Sequence, residues 1–348
     1  MIVTPPIRQQ AESPAPLRRT PRRRLATLAL LGCALVGCLV LSLLVGSSAI
    51  PLGRVWELLQ HPDDSYDSYV VNTLRVTRTF IGFIVGLSLA VAGAVMQAVT
   101  RNPLADPGLL GVNSGAALGV VLGASVGGLT SFPAQFLLAA VGALVATFLV
   151  FSVGSWAGDG SPVRLVLAGV AFSAAAGGLI QAILLTNPQA FDTFRFWDVG
   201  ALTRSDSTVG YVVIPVLLGL ALVLIVSRGL ANIALGDDIA AALGTKVARV
   251  RAVSILALTL LCASATAIAG PIGFVGLMVP LAVAWLLGPA RGWILAVSAV
   301  AGPVLVLSAD ILGRLLARPS ELQVGLLTAF VGSPVLLFMV FRLRGDAR

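Results

Sequence analysis

The chain has 348 residues, of which 57% are hydrophobic and 11% charged, with a formal net charge of +8. Soluble domains carry about 25% charged residues and one helical crossing takes about 20 apolar residues, so this length allows about ten crossings. A soluble enzyme, a nucleic-acid binder and an outer-membrane barrel, whose strands would alternate apolar and polar residues, are excluded.

Residues 1–24 combine Pro5, Pro6, Pro14, Pro16 and Pro21 with six arginines, and read as a disordered basic cytoplasmic tail. An apolar run at 25–47 follows. Inside it, Leu35-Val36-Gly37-Cys38 resembles a lipoprotein cleavage box behind positive charge. The run continues to about Ile50, however, and is long enough to span. Cys33, Cys38 and Cys262 all lie in apolar runs and read as packed thiols, neither a disulfide framework nor a zinc set. The only histidine, His61, stands beside Pro62, Asp63 and Asp64 in a polar, solvated loop.

Further apolar runs occur at 79–99, 109–128, 133–153, 165–186, 209–227, 252–270, 272–287, 293–313 and 323–341. The expected fold is therefore all-α and polytopic, with about ten transmembrane helices. Its parts are the tail 1–24, a ten-helix domain at 25–342 with a cytoplasmic loop at 228–251, and a C-terminal cytoplasmic tail at 343–348. Basic residues favour the cytoplasm. With the N-terminus inside, only Arg54, Arg75, Arg78, Arg195, Arg204, Arg314 and Arg318 fall outside, against 16 of the 23 basic residues inside. An even number of spans returns the C-terminus to the cytoplasm.

Arg75 and Arg78 have no acidic neighbour within four residues. An acidic partner docking on the outer face would explain them, and so would interfacial snorkelling. After span two comes Arg101-Asn102-Pro103-Leu104-Ala105-Asp106-Pro107, where two prolines break the helix. It is either a tight reverse turn or part of a gate. Gly111, Gly115, Gly119, Gly123 and Gly127 recur every four positions and put small residues along one helix face, a pattern of close helix packing or of a pathway lining. The 188–206 loop carries Phe191, Phe194, Phe196 and Trp197, either as interface anchors or as a cap over a pathway.

The loop at 228–251 contains Leu235-Gly236-Asp237-Asp238-Ile239-Ala240-Ala241-Ala242-Leu243-Gly244-Thr245-Lys246. Acids at the start of a short helix, with Lys246, Arg249 and Arg251 beyond its end, match the helix dipole. Ile239 and Leu243 are four apart and share a face. A docking element fits this pattern, as does an interfacial helix resting on lipid. The only lysine, Lys246, follows Thr245, so the chain lacks the Gly-Lys pair of a phosphate-binding P-loop and cannot hydrolyse ATP by that route. Arg314 follows Asp310 by one turn, and an intrahelical pair would offset the cost of a charge in a span.

These segments resemble the membrane permeases of bacterial binding-protein-dependent ABC importers for iron-siderophores and cobalamin, of the FecCD/BtuC type. The resemblance runs from about residue 25 to 342. It rests on Arg101 to Gly115, Ser161 to Gly169, Arg195-Phe196-Trp197 with Gly200, and Gly270 to Leu277. Ala309-Asp310 with Arg314, and Phe330 to Pro334, complete it. Within the family the chain looks most like the ferric-enterobactin permeases.

The resemblance implies a ten-span permease in the bacterial cytoplasmic membrane that pairs with a second permease. Two cytoplasmic ATPase subunits and an extracytoplasmic siderophore-binding protein would complete the complex, with a ferric siderophore as cargo. It implies ATPase coupling through Gly236, Asp237, Asp238, Ile239, Ala241, Leu243 and Gly244. It implies binding-protein docking on Arg75, Arg78 and Arg314, and a pathway or gate at Asn102, Leu104, Ser161 and Pro162. No catalytic residue, cofactor, metal site or nucleic-acid partner is expected. A catecholate is the first expectation for cargo; ferric hydroxamate, cobalamin and haem are the alternatives. One departure stands out: Leu281 and Ala284 occupy positions where the family commonly has histidine and arginine, which points to a heterodimer whose other permease retains them. An ion-coupled secondary transporter would need ionisable groups within the spans. Asp310 and Arg314 are the only clear candidates, and they can satisfy each other.

Overall fold

The computed structural model describes residues 21–48, 50–155, 162–203 and 207–345, and among them every regular element is helical. In chain order these are α1 (Pro21–Leu44), α2 (Leu52–Gln60) and α3 (Tyr66–Ser68), which passes through a π-helical turn (Tyr69–Arg75) into α4 (Val76–Thr100). A 3-10 turn (Pro107–Leu110) leads to α5 (Val112–Gly127), then α6 (Phe132–Ser155), α7 (Pro162–Thr186) and α8 (Pro188–Trp197). A second 3-10 turn (Ser207–Val212) opens α9 (Val213–Ile233), followed by α10 (Asp237–Ala242), α11 (Val247–Ala269), α12 (Val275–Leu287), α13 (Arg291–Leu316) and α14 (Val324–Gly345).

Among the described residues, seven helical stretches are long and apolar enough to cross a membrane: α1, Tyr66–Thr100, α6, α7, Gly210–Ile233, α11 and α13. The shorter apolar helices α5, α12 and α14 fall at the other three expected runs. Two loops are more ordered than the sequence suggests. The 188–206 stretch contains α8, started by Asn187, whose side chain accepts from Ala190 N at 2.9 Å. The 228–251 stretch shrinks to a short linker around α10, because α9 runs on to Ile233 and α11 starts at Val247. The end of the expected tail is likewise helical from Pro21, in the first turn of α1.

Helix α4 forms the centre. In its most apolar window 83% of residues are buried, against 78% for α11 and 6% for α1, which lies at the periphery. Small residues let the neighbours of α4 approach at backbone distance. A Cβ on Gly302 of α13 would lie 2.1 Å from the Gly86 carbonyl oxygen, and one on Gly93 would lie 1.7 Å from the Gly276 carbonyl oxygen of α12. The glycine repeat of α5 does the same against α6. Cβ atoms on Gly115 and Gly119 would strike the carbonyl oxygens of Gly142 and Leu138, at 2.4 and 2.2 Å. The repeat is a packing seam in its middle only. Gly111 instead ends the 3-10 turn at φ +75°, and Gly127 meets only Leu129 beyond the helix.

Hydrogen bonds sort the described helix ends into two faces. On one, the end of α1 meets Arg75, Arg314 and Arg318, Asn187 meets Ser125, and Ala201 donates to Ala269. Gly325 donates to Gly200 there as well. On the other face α10 meets the turn after α4 and the start of α11. The two apolar runs at 252–270 and 272–287 are separated by a break in the helix. Helix α11 stops at Gly270 (φ +75°), residues 270–274 run without helix, and α12 begins beside Gly93. Gly93 lies about 25 Å along α4 from its first residue.

Candidate functional site

Two polar constellations stand out, one at each face. The first gathers Arg75, Arg78, Arg314, Asp310 and Glu321. Arg75, at the end of the π-helical turn, is only 4% exposed. It donates to the carbonyl oxygens of Leu43 (3.0 Å), Leu44 (2.9 Å) and Ser48 (3.0 Å). The last carbonyls of a helix lack intrahelical donors, and here an arginine supplies them. Arg314 of α13, 1% exposed, donates to the carbonyl oxygens of Ser42 (3.0 Å) and Val45 (2.7 Å) and to Ser42 Oγ (2.9 Å). Arg318 closes the same end on Gly46 O at 2.8 Å.

Arg314 also pairs with Asp310 one turn earlier at 2.9 Å, as the sequence suggests. Asp310 is fully buried and takes a second arginine: Arg78 Nη2 lies 2.7 Å from its Oδ1, and Arg78 Nε reaches both carboxylate oxygens. Arg78 Nη1 bonds Glu321 in the loop between α13 and α14. Burial works to raise the Glu321 carboxyl, but hydrogen bonds from Arg78 and Ser47 and the nearby arginine charges outweigh it and hold it below the usual range. A cavity of about 220 Å³ opens beside the cluster, lined by Arg75, Arg78, Arg314, Glu321 and Tyr66 among others.

The three arginines expected to dock a binding protein all hold partners within this chain. Arg75 and Arg314 are interior clamps on α1, and Arg78 is tied to two carboxylates. The acids that answer Arg78 were invisible to local sequence reading because they lie 232 and 243 positions away.

The second constellation is α10 and the turn beside it. Gly236, at φ +113°, and Gly244, at φ +79°, bracket the helix in conformations that favour glycine. Ala240 is buried, whereas Ile239 is 52% and Leu243 59% exposed, so the expected apolar ridge faces outward. Asp238, Ala241 and Gly244 are exposed beside it. Asn232 Nδ2 donates to Thr245 Oγ1 at 2.9 Å and ties the two ends of the linker together. Asp237 makes the unexpected contact. Its carboxylate lies 2.8 Å from Arg251 Nη2 of α11 and 3.7 Å from Arg101 Nη2 at the end of α4. Arg251 therefore answers a specific acid rather than the dipole of α10.

The 101–107 stretch is a tight turn. Arg101 takes a left-handed conformation (φ 52°), Asn102 Oδ1 accepts from Leu104 N at 2.9 Å, and the Asn102 carbonyl accepts from Ala105 N. Asn102 and Leu104 are exposed at its tip. Asp106 accepts from Gly108 N at 2.7 Å; burial pushes its carboxyl up, against the pull of that N–H. Pro162 opens α7, while Ser161 lies outside the described residues. Leu281 is buried and Ala284 packs partly buried against the core, so the departure at these positions leaves apolar packing. In α8 Trp197 is buried, while Phe191 and Phe196 are exposed, with the Arg195 guanidinium 4.7 Å from the Phe196 ring centre.

The FecCD transport family matches residues 34–342. The ferric enterobactin transport system permease protein FepD of Escherichia coli (strain K12) is 48% identical over 308 residues, covering 88% of this chain and 92% of the relative. The Fe(3+)-citrate import system permease protein YfmD of Bacillus subtilis (strain 168) is 38% identical over 85% of this chain and 89% of its own. A solved ABC transporter described as of metal-chelate type, in an inward-facing conformation, superposes with a TM-score of 0.80 at 28% identity, over 91% of this chain and 99% of that one. Together with the long apolar helices, these likenesses make this a multi-pass protein of the bacterial inner membrane. On the match across 34–342 and the 48% identity, the chain belongs to the FecCD transport family.

Proposed function

We propose that the chain is the membrane-spanning permease subunit of an ABC importer for iron chelates, with a ferric catecholate of the enterobactin type as cargo. The observation that carries the cargo assignment is the 48% identity to a ferric enterobactin permease across 92% of its length, against 38% for a ferric citrate permease. In this reading all ten apolar helices cross the membrane, both termini are cytoplasmic, and a second permease completes the pathway. The ATPase is a separate pair of subunits, and a binding protein delivers the chelate from outside.

The exposed Ile239–Leu243 ridge supports α10 as the element that enters the ATPase. A six-residue helix between two left-handed glycines is a compact knob with little cost to reorient. Asn102 and Leu104, exposed at the tip of a rigid turn on the same face, and Ser161 and Pro162 at the approach to α7, are assigned to the cytoplasmic gate.

Uptake of radioactive iron by cells lacking this gene tests the cargo, with catecholate and hydroxamate chelates and cobalamin in parallel. Selective loss of catecholate uptake, restored by the gene, is expected; loss of hydroxamate or cobalamin uptake instead would reassign the substrate. Placing charge on the ridge with Ile239→Asp and Leu243→Asp tests the docking role. Co-purification of the ATPase subunits should then fall at least tenfold with the permease still inserted. Undiminished co-purification would remove α10 from the interface.

A further inference from the structure

We infer that Asp237 is the positioning residue that connects α10 to the interior of the bundle. It holds Arg251 of α11 and Arg101 at the end of α4, so that motion of α10 reaches the turn bearing Asn102 and Leu104. This rests on the reading of α10 as the ATPase-docking helix and adds the route by which its movement is passed on.

Three observations carry it. Asp237 is the first residue of α10, and its two arginine partners belong to the two most buried of the long helices, α4 and α11. The two contacts are unequal. Arg251 is 10% exposed at its side chain and meets Asp237 through both carboxylate oxygens, at 2.8 and 3.1 Å. Arg101 is 39% exposed and stands 3.7 Å away. A short charge-assisted pair anchors, whereas a long, exposed pair is weak and easily exchanged. The geometry thus gives one fixed end and one end that can open and close. Finally, the loose end is attached to a rigid piece: Arg101 is in the left-handed conformation, and the following turn is closed by Asn102 onto Leu104 and Ala105. A shift at the Arg101 guanidinium therefore moves the turn as a unit. Gly236 leaves the approach open, since a Cβ there would meet only Arg101 Nη1, at 3.9 Å.

The test is a double-mutant cycle in the full transporter, reconstituted in vesicles with its ATPase subunits and binding protein. The readout is chelate taken up per ATP hydrolysed. Arg101→Gln changes an exposed side chain outside the docking ridge, so ATPase co-purification and ATP hydrolysis should stay at the parent level. Uptake per ATP should fall two- to fivefold. Asp237→Asn should lower it further, about tenfold, and Asp237→Glu should restore at least half. The double variant Arg101→Gln with Asp237→Asn should be no worse than Asp237→Asn alone, because both act through one contact. Parent-level uptake per ATP in Arg101→Gln would overturn the inference, and so would losses that multiply in the double variant. If α10 does not dock the ATPase at all, the Ile239→Asp and Leu243→Asp variants will show it by undiminished co-purification, which separates that failure from this one.

Discussion

Arg78 and Asp310 meet at 2.7 Å although 232 positions separate them in the chain. Their pair joins α4 to α13 near one end of both helices, and Arg314 completes it from the other side of the carboxylate. Burying a charge is costly unless it is paired and hydrogen-bonded. One carboxylate serving two guanidiniums is a stable arrangement only while all three charges remain.

Removing Asp310 alone should therefore be worse than removing the pair. Asp310→Asn leaves Arg78 and Arg314 in place around an uncharged amide and should destabilise the subunit by about 3–5 kcal/mol. Asp310→Leu combined with Arg314→Leu removes the acid together with its intrahelical partner and should cost less than Asp310→Leu alone. Thermal unfolding of the purified subunit in detergent measures both. An additive pair of losses would show that Asp310 and Arg314 do not depend on each other.

How much of this could be read from the chain divides by sequence distance. The intrahelical Asp310–Arg314 pair and the exposed Ile239–Leu243 face follow from spacings of four, and the structure contains both. The glycine repeat of α5 indicated close packing, and Gly115 and Gly119 supply it. The contacts of Arg78 with Asp310 and Glu321, and of Asp237 with Arg101, join residues more than a hundred positions apart in the chain, and no local period reports them. Arg75 is a different case. Its partners are backbone carbonyls of α1, which carry no side-chain signature, so a buried clamp looked like an unexplained surface charge.

Acid should loosen the Glu321 contact. The folded carboxyl lies below its ordinary value of 4.5. Its contribution is therefore present above that value and is lost as pH falls through the lower, folded one. Glu321→Gln should lower the unfolding temperature at neutral pH, and the gap from the parent should shrink as pH drops from about 5 towards about 3. A gap that stays constant over that range would mean that the Glu321 charge contributes nothing to stability.

The seam between α4 and α12 predicts a contrast between two glycines. A Cβ on Gly93 would stand 1.7 Å from a backbone oxygen, which cannot rotate away as a side chain can, whereas one on Gly177 of α7 would meet nothing within 4 Å. Gly93→Ala should cost at least about 3 kcal/mol, at or above the upper end of overpacking losses, because two helices must separate. Gly177→Ala should be neutral or stabilising by up to about 1 kcal/mol, since alanine favours the helix. Unfolding of the two variants in the same detergent gives the comparison, and equal stability would contradict the close approach of α4 to α12.

Topology can be settled by asking which face each loop labels from. If all ten apolar helices cross with the N-terminus inside, single cysteines at Glu57, Thr130 and Glu321 should react with an impermeant reagent added outside intact spheroplasts, in a background with Cys33, Cys38 and Cys262 replaced. Cysteines at Asn102 and Gly244 should react only after lysis. The sorting of helix ends agrees with this alternation: Ser125 near the end of α5 meets Asn187 at the end of α7, while Arg101 at the other end of α4 meets Asp237. The decisive position is Thr130. It lies between α5 and α6, so a 16-residue α5 that failed to cross would leave it protected together with Asn102. A helix of 16 residues rises about 24 Å, short of a hydrocarbon core of about 30 Å. Its crossing needs the 3-10 turn at Pro107–Leu110 to add length at its start. Labelling at Thr130 from outside would show that the turn and α5 act as one span.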